Sequence, residues 1–459
     1  MRLSHALRLG LSPRLALVGS GGKTTALFLI ARELVETYQG TPSTVLATAT
    51  THLATDQLAL ADHHHFIASS REIMNLQSAL PEGVVLLTGS QVDPERVAGL
   101  SLDLLDGILS LADARGLPLL VEADGSRRRP LKAPAGHEPV IPPWVETVVV
   151  LAGLSGLGKP LTSDWVHRPE RFAALSGLQP GEPITPQALA QVLTHPESGL
   201  KGIPPKARRV VLLNQADSPE NQALANRLAG QLLSHFHAVL VAALAAPGRY
   251  SLEQRSSISD HPVFAVHEPV AGVILAAGAS RRFGSPKQTL LWRGQPLVRH
   301  VAIAALQAGL SPVVVVTGDS SDQVIRALNE MPLVFVNNPE WQAGQSTSLA
   351  LGLRLAPPET GAVIFLLADQ PQVTPGLLRG LVERHTETLA PIVAPQVSGQ
   401  RANPVLFDRL TFPELLTLTG DVGGRALFSR YRPNWLPWHD LNLLLDVDTP
   451  DDYRKLLES

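Results

Sequence analysis

Seventeen residues near the middle of the chain restrict its fold most: Ala271-Gly272-Val273-Ile274-Leu275-Ala276-Ala277-Gly278-Ala279-Ser280-Arg281-Arg282-Phe283-Gly284-Ser285-Pro286-Lys287. Val273 to Leu275 form a short apolar run suited to a parallel strand buried on both faces. Ala276, Ala277, Gly278, Ala279 and Ser280 follow with little side-chain bulk, so an anion can approach the backbone N–H groups. Arg281, Arg282 and Lys287 then place cations beside that approach. A strand, a small-residue turn and a helix in this order predict an open α/β sheet with its site at the carboxyl ends of the strands.

The chain has 459 residues, room for two or three domains. Apolar residues make up 44%, enough for full-sized cores, and the net charge of −3 provides no general field for nucleic acid. Anion binding must therefore be local. With no cysteine, the chain supplies no disulfide, thiolate zinc site or iron–sulfur ligand, which fits a cytoplasmic setting. No apolar run approaches the ~20 residues of a membrane span.

A second phosphate-loop pattern opens the chain. Leu15 to Val18 predict a strand, Gly19-Ser20-Gly21-Gly22 a turn, and Lys23-Thr24-Thr25 the start of a helix. Glycine amides and a helix N-terminus would face phosphates, with Lys23 neutralising them and the Thr24 hydroxyl reaching Mg²⁺. Leu17 stands where the usual first glycine belongs, making this a variant. Thr44 to Ala47 lead as a strand into Thr48-Ala49-Thr50-Thr51-His52, and His63-His64-His65 read as a solvated turn. Leu117 to Val121 predict another strand, ending in Glu122-Ala123-Asp124. Carboxylates there are costly unless they meet a cation, so Glu122 or Asp124 is the expected Mg²⁺ ligand. Arg127, Arg128, Arg129 and Lys132 suit either an anion clamp or a solvated loop. Beyond the strand at Arg209 to Leu213, Asn214-Gln215-Ala216-Asp217 stands where guanine nucleotide-binding proteins carry N-K-x-D, so Asn214 and Asp217 are candidate base contacts. Residues 246–269 mix Pro, Gly, Ser and charge and read as a linker.

In the second half, Val363 to Leu367 predict a buried strand delivering Asp369 at its tip, followed by Gln370-Pro371. Leu443-Leu444-Leu445-Asp446-Val447-Asp448 repeat that logic, offering Asp448 or its competitor Asp446 as a second metal ligand. Trp341 to Leu349 form a glycine loop entering a helix, for which Ser346 and Ser348 are candidate N-caps.

Residues 1–245, with G-S-G-G-K-T-T, T-A-T-T-H, V-E-A-D-G-S-R, L-K-A-P, H-E-P, H-R-P-E and N-Q-A-D, resemble the YqeC family. That resemblance implies a P-loop-like fold binding ATP or GTP, a role in maturing molybdenum hydroxylases, and a hydroxylase apoenzyme as partner. Residues 270–459, with L-A-A-G-x-S-x-R-x-G-x-x-K and D-x-D-T-P, resemble the MobA/MocA-like nucleotidyltransferases. The expected architecture is thus two three-layer α/β/α domains, the second a Rossmann-like nucleotidyltransferase. The second resemblance implies Leu275 to Gly278, Ser280, Arg281, Gly344, Ser346 and Ser348 around a nucleotide, with Arg282 and Lys287 on its triphosphate. It implies Asp369 and Asp448 on Mg²⁺, and Asn403, Pro404, Asp421, Gly423, Gly424 and Arg425 beside the acceptor, molybdopterin. Guanylyltransferases of that family carry L-A-G-G, so Ala277 implies the cytidylyl branch, CTP as substrate and a molybdopterin cytosine dinucleotide product.

Overall fold

The computed structural model describes residues 1–37, 44–244, 261–278, 283 and 286–458, divided into two compact units, Met1–His267 and Glu268–Ser459. Candidates Ser280, Arg281 and Arg282 lie outside the described residues, as does most of the expected linker.

The first unit is built on a nine-stranded sheet. Its strands run, edge to edge, Val263–His267, Ala238–Ala242, Arg208–Asn214, Thr147–Gly153, Arg14–Gly19, Leu119–Glu122, Thr44–Ala49, Gly83–Thr88 and His63–Phe66. All neighbours pair parallel except the edge strand Val263–His267, which pairs antiparallel with Ala238–Ala242. Helices supply the crossovers that parallel pairing demands, and they explain why the central strands are apolar on both faces. Val18, Val121, Val148 and Val150 pack with Phe172, Leu189 and Leu228, while Leu46, Val85, Leu87 and Leu119 pack with Ile73, Leu105 and Ile108.

Two expectations change here. His63–His65 belong to an edge strand, in which the His64 ring bonds Thr88 Oγ1 at 2.8 Å. The stretch 246–269 contains the edge strand Val263–His267, so it is not linker throughout. Pairing with a buried neighbour prevailed over a local composition rich in Pro and charge.

The second unit carries an eight-stranded sheet whose path is Val334–Asn337, Val313–Thr317, Val270–Ala276, Ala362–Leu367, Val405–Asp408, Ile392–Val397 and Gln400–Arg401, with Asn434–Trp438 also paired to Ile392–Val397. Its first four strands are parallel, and Val405–Asp408 runs antiparallel beside Ala362–Leu367. Residues alternate between faces with the period of two that a strand imposes. Val273, Val314, Val316 and Phe365 pack under Leu349 and Leu353, whereas Ile274, Val315, Ile364 and Leu366 pack under Val301, Leu377 and Leu381.

Candidate functional site

In the first unit, strand Arg14–Gly19 and helix Lys23–Thr37 are joined by a turn in which Gly19, Gly21 and Gly22 have φ of 92°, 82° and 128°. A Cβ on Gly19 would sit 2.3 Å from the Leu151 carbonyl oxygen, so the turn needs glycine for space as well as for φ. The Gly19 N–H donates to both Asp124 carboxylate oxygens at 3.1 and 3.0 Å. Ser20 donates its hydroxyl to the Pro130 carbonyl at 2.9 Å.

Lys23 is 3% exposed; its Nζ donates to the Gly19 carbonyl at 2.8 Å and lies 3.3 Å from Asp124 and 3.7 Å from Glu122. The Thr24 hydroxyl donates to Glu122 at 2.9 Å and accepts from Gln57 Nε2 at 3.0 Å. Burial pushes the Glu122 carboxyl up from its ordinary range, against the opposing pull of Lys23.

The sequence leaves Lys132 between anion clamp and solvated loop, and the structure buries it. Its Nζ donates to Asp124 and the Gly125 carbonyl, both at 2.7 Å, and to Glu138 at 3.2 Å. Arg168 donates to both oxygens of Glu138, at 2.8 and 3.1 Å, sharing one of them with Lys132. Burial alone would raise the Glu138 carboxyl, but the Arg168 hydrogen bonds and the charges of Lys132 and Arg168 bring it down to about 2. The chain Arg168, Glu138, Lys132, Asp124, Gly19 thus braces the turn from beneath. Asp124, with Gly19 and Lys132 on its oxygens, is a brace, while Glu122 and Thr24 remain together at the mouth.

Asn214 also differs from expectation. Its Nδ2 donates to the Gly21 carbonyl at 2.7 Å and its oxygen accepts from the Leu244 N–H at 2.8 Å, so a buried amide is committed to holding the turn. Asp217 is exposed and does not line the adjoining cleft. That cleft, about 900 Å³, is lined by Gly21, Gly22, Lys23, Thr24 and Thr25.

In the second unit, Leu275 and Ala276 end strand Val270–Ala276, and Ala277 and Gly278 leave it. Gln288 Nε2 donates to the Gly278 carbonyl at 2.9 Å, tying this turn to the short 3₁₀ turn Lys287–Thr289. Lys287 Nζ forms an ion pair with Asp369, bonds Asp448 Oδ1 at 3.1 Å and reaches the Val447 carbonyl at 3.3 Å. Two carboxylates remote in sequence therefore converge on one ammonium group. Burial would lower the Lys287 pKa, but Asp369 and then Asp448 raise it.

Asp369 follows strand Ala362–Leu367, as the sequence implies, but Asp448 does not sit at a strand tip. Leu441–Leu444 form a 3₁₀ turn capped by Asp440, whose carboxylate accepts from the Asn442 N–H at 3.0 Å. A run this short is satisfied by a turn that buries Leu443 alone. Asp446, the competitor, is held elsewhere by Gln370 Nε2 at 2.5 Å. Nor does Asp448 cap the last helix: Thr449 accepts from the Asp452 N–H at 3.3 Å.

Ser346 and Ser348 have committed hydroxyls. Ser346 donates to the Gly420 carbonyl at 2.7 Å, and Ser348 accepts from Asn338 Nδ2 at 2.9 Å. Ser346 joins the start of helix Gln345–Arg354, beside Gly344, to the loop containing Asp421, whose carboxylate accepts from the Gln345 N–H at 3.3 Å, while Ser348 ties the same helix to Asn338. They are braces in this arrangement, and neither is the cap of that helix. A Cβ on Gly424 would lie 2.4 Å from the Phe407 ring, and one on Gly423 would lie 2.8 Å from Gln345, so both glycines are required by packing. Asn403–Pro404 is a cis peptide, and Arg425 is exposed near Arg401. The sequence reading missed Gln288, Gln370, Glu138 and Arg168 as organisers; only the motifs H-E-P and H-R-P-E marked the last two.

The YqeC protein family profile matches residues 15–170, and the MobA-like NTP transferase domain profile matches residues 272–435. The uncharacterized protein YqeC of Escherichia coli (strain K12) is 30% identical over 222 residues, covering 48% of this chain and 83% of that protein. Nicotine blue oxidoreductase of Paenarthrobacter nicotinovorans is 32% identical over 200 residues, covering 41% of this chain and 96% of that protein. A probable molybdenum cofactor guanylyltransferase of Chloroflexus aggregans is 35% identical over 120 residues, covering 26% of this chain and 54% of that protein. With a glycine turn after a parallel strand in one unit and a lysine between converging carboxylates in the other, the chain belongs to the YqeC family through its first half and to the MobA-like NTP transferases through its second, and it is a nucleotidyltransferase.

Proposed function

We propose that the second unit transfers CMP from CTP to the terminal phosphate of molybdopterin, releasing pyrophosphate. The observation that carries the reading is the meeting of Asp369 and Asp448 on Lys287, beside the turn at Gly278. A position where two carboxylates already enclose a cation fits Mg²⁺ between Asp369 and Asp448. Such an ion would neutralise charge on the α-phosphate.

The protein's own part is alignment and electrostatics, because phosphoryl chemistry needs little covalent help. The N–H groups from Ala276 to Ser280 and the cations Arg282 and Lys287 hold the triphosphate. Lys287, already balanced between the two acids, exchanges a carboxylate for a phosphate oxygen. An oxygen of the acceptor phosphate attacks the α-phosphorus as the bond to the β-phosphate bridging oxygen breaks, and pyrophosphate leaves. A phosphate monoester is largely a dianion near neutral pH, so no general base is required. Asn403, Pro404, Asp421, Gly423, Gly424 and Arg425 flank the acceptor in this reading, with Arg425 able to pair with its phosphate.

The first unit is read as a P-loop-like site for ATP or GTP that serves the maturation of a molybdenum hydroxylase. Thr24 and Glu122 fit a divalent cation there, and Asp124 does not, since Gly19 and Lys132 already take its oxygens.

Full-length protein incubated with molybdopterin, Mg²⁺ and either CTP or GTP tests this, with pyrophosphate release and the mass of the pterin product as readouts. CMP addition is expected. A clear GTP preference would replace the base assignment, and turnover only with a sugar or polyol phosphate would replace the acceptor.

A further inference from the structure

The cleft above the Gly19–Gly22 turn extends well past the turn itself. Its volume, about 900 Å³, is near the upper end of the ~300–1,000 Å³ usual for small-molecule sites. Its lining includes Lys23, Thr24 and Thr25 of the turn and helix start together with Arg127, Arg128, Arg129 and Trp165. Most cations around this cleft are answered by nearby acids. Arg128 pairs with Asp56 at 2.7 Å, Arg129 lies 4.0 Å from Asp164, Arg168 is bound to Glu138, and Lys23 faces Glu122 and Asp124. Arg127 has no such carboxylate partner among the described residues.

The backbone bearing it is unusual too. Arg127 and Arg128 have φ of 51° and 58°, two consecutive left-handed residues without glycine. Such strain persists only where the surroundings impose it, and it concentrates at binding sites. The turn is closed by the Arg129 N–H on the Ser126 carbonyl at 3.0 Å. Trp165 also lines the cleft and contributes a flat ring, with Lys159 Nζ 5.0 Å from its centre.

We propose that this cleft takes two ligands at once: a nucleotide on the glycine turn and, in the remainder of the cleft, a small molecule presenting a phosphate monoester on an aromatic ring, its phosphate held by Arg127 and its ring against Trp165. The proposal rests on reading the turn as a nucleotide site, and the experiment separates the two. Full-length protein is titrated calorimetrically with Mg²⁺ and a non-hydrolysable ATP analogue, then, at saturation, with phenyl phosphate or inorganic phosphate.

Phenyl phosphate is expected to bind the nucleotide-loaded protein, and Arg127→Glu to weaken it by about tenfold or more, leaving the analogue's affinity unchanged. Arg127→Gly removes the cation while relaxing the backbone, so it should lose phenyl phosphate binding without lowering Tm. Equal weakening of both ligands would make Arg127 a nucleotide contact and overturn the proposal. Phenyl phosphate binding that is indifferent to Arg127, or that displaces the analogue, would overturn it as well. Inorganic phosphate binding as tightly as phenyl phosphate would overturn the aromatic part. Failure of the analogue to bind, with phenyl phosphate still dependent on Arg127, would sink the nucleotide reading instead.

Discussion

The turn at Gly19–Gly22 and the turn at Ala276–Gly278 present glycine-containing backbone after a parallel strand, yet the fold depends on them unequally. The first is wedged: a Cβ at Gly19 would strike the Leu151 backbone, Lys23 is buried, and Asp124 and Lys132 are locked beneath it. The second is less confined among the described residues: there a Cβ at Gly278 would meet only Gln288 Nε2, at 3.9 Å, and Asp448 is exposed. In the first unit, site chemistry and stability are carried by the same groups. At Asp369 and Gly278 of the second they are separable, so substitution of Asp369 should remove activity and leave the fold.

The sharpest check of that separation is Asp369→Ala, expected to cost about 10³-fold or more in pyrophosphate release, with Tm nearly unchanged. An active variant would remove Asp369 from the site. Gly19→Ala should behave oppositely, costing about 3 kcal/mol or more of stability through forced φ and steric clash. Urea unfolding of the first unit measures it, and a neutral result would dissolve the contrast between the turns. Lys132→Met strands Asp124 and Glu138, and about 3–5 kcal/mol should be lost.

The pH dependence sharpens the same point. Glu138 is held at about 2 against an ordinary 4.5, so its contribution is complete above pH 4.5 and disappears as pH falls towards 2. Glu138→Gln should flatten that part of the stability profile, and an unchanged acid limb would argue against the brace. Smallest of all, Gly278→Ala should change stability by less than about 1 kcal/mol, as judged by Tm.

Much of the sheet architecture is legible in the sequence because parallel strands buried on both faces leave unbroken apolar runs such as Val148 to Leu151 and Val363 to Leu367. Asp369 was legible for the same reason. Asp448 meets Lys287 beside Asp369, but the strand expected before it is a 3₁₀ turn, since three leucines do not reveal whether their neighbours will pair with them. Lys132 and Asn214 mislead differently. Whether a charged or amide side chain is a ligand contact or a brace depends on partners from distant segments, here Asp124 and Glu138 for one, Gly21 and Leu244 for the other. No local pattern reports such partners. Ser346 and Ser348, bound to Gly420 and Asn338, follow the same rule.

Strand Val263–His267 has a practical corollary. Only Glu268 and Pro269 separate it from Val270–Ala276, the next strand in the chain. A fragment cut at residue 245 would lose the antiparallel cover of Ala238–Ala242 and bare an apolar rim prone to self-association. Expressing the first half alone should therefore succeed with an end at His267 and yield aggregate with an end at 245, which locates the genetic seam between the two halves after that strand.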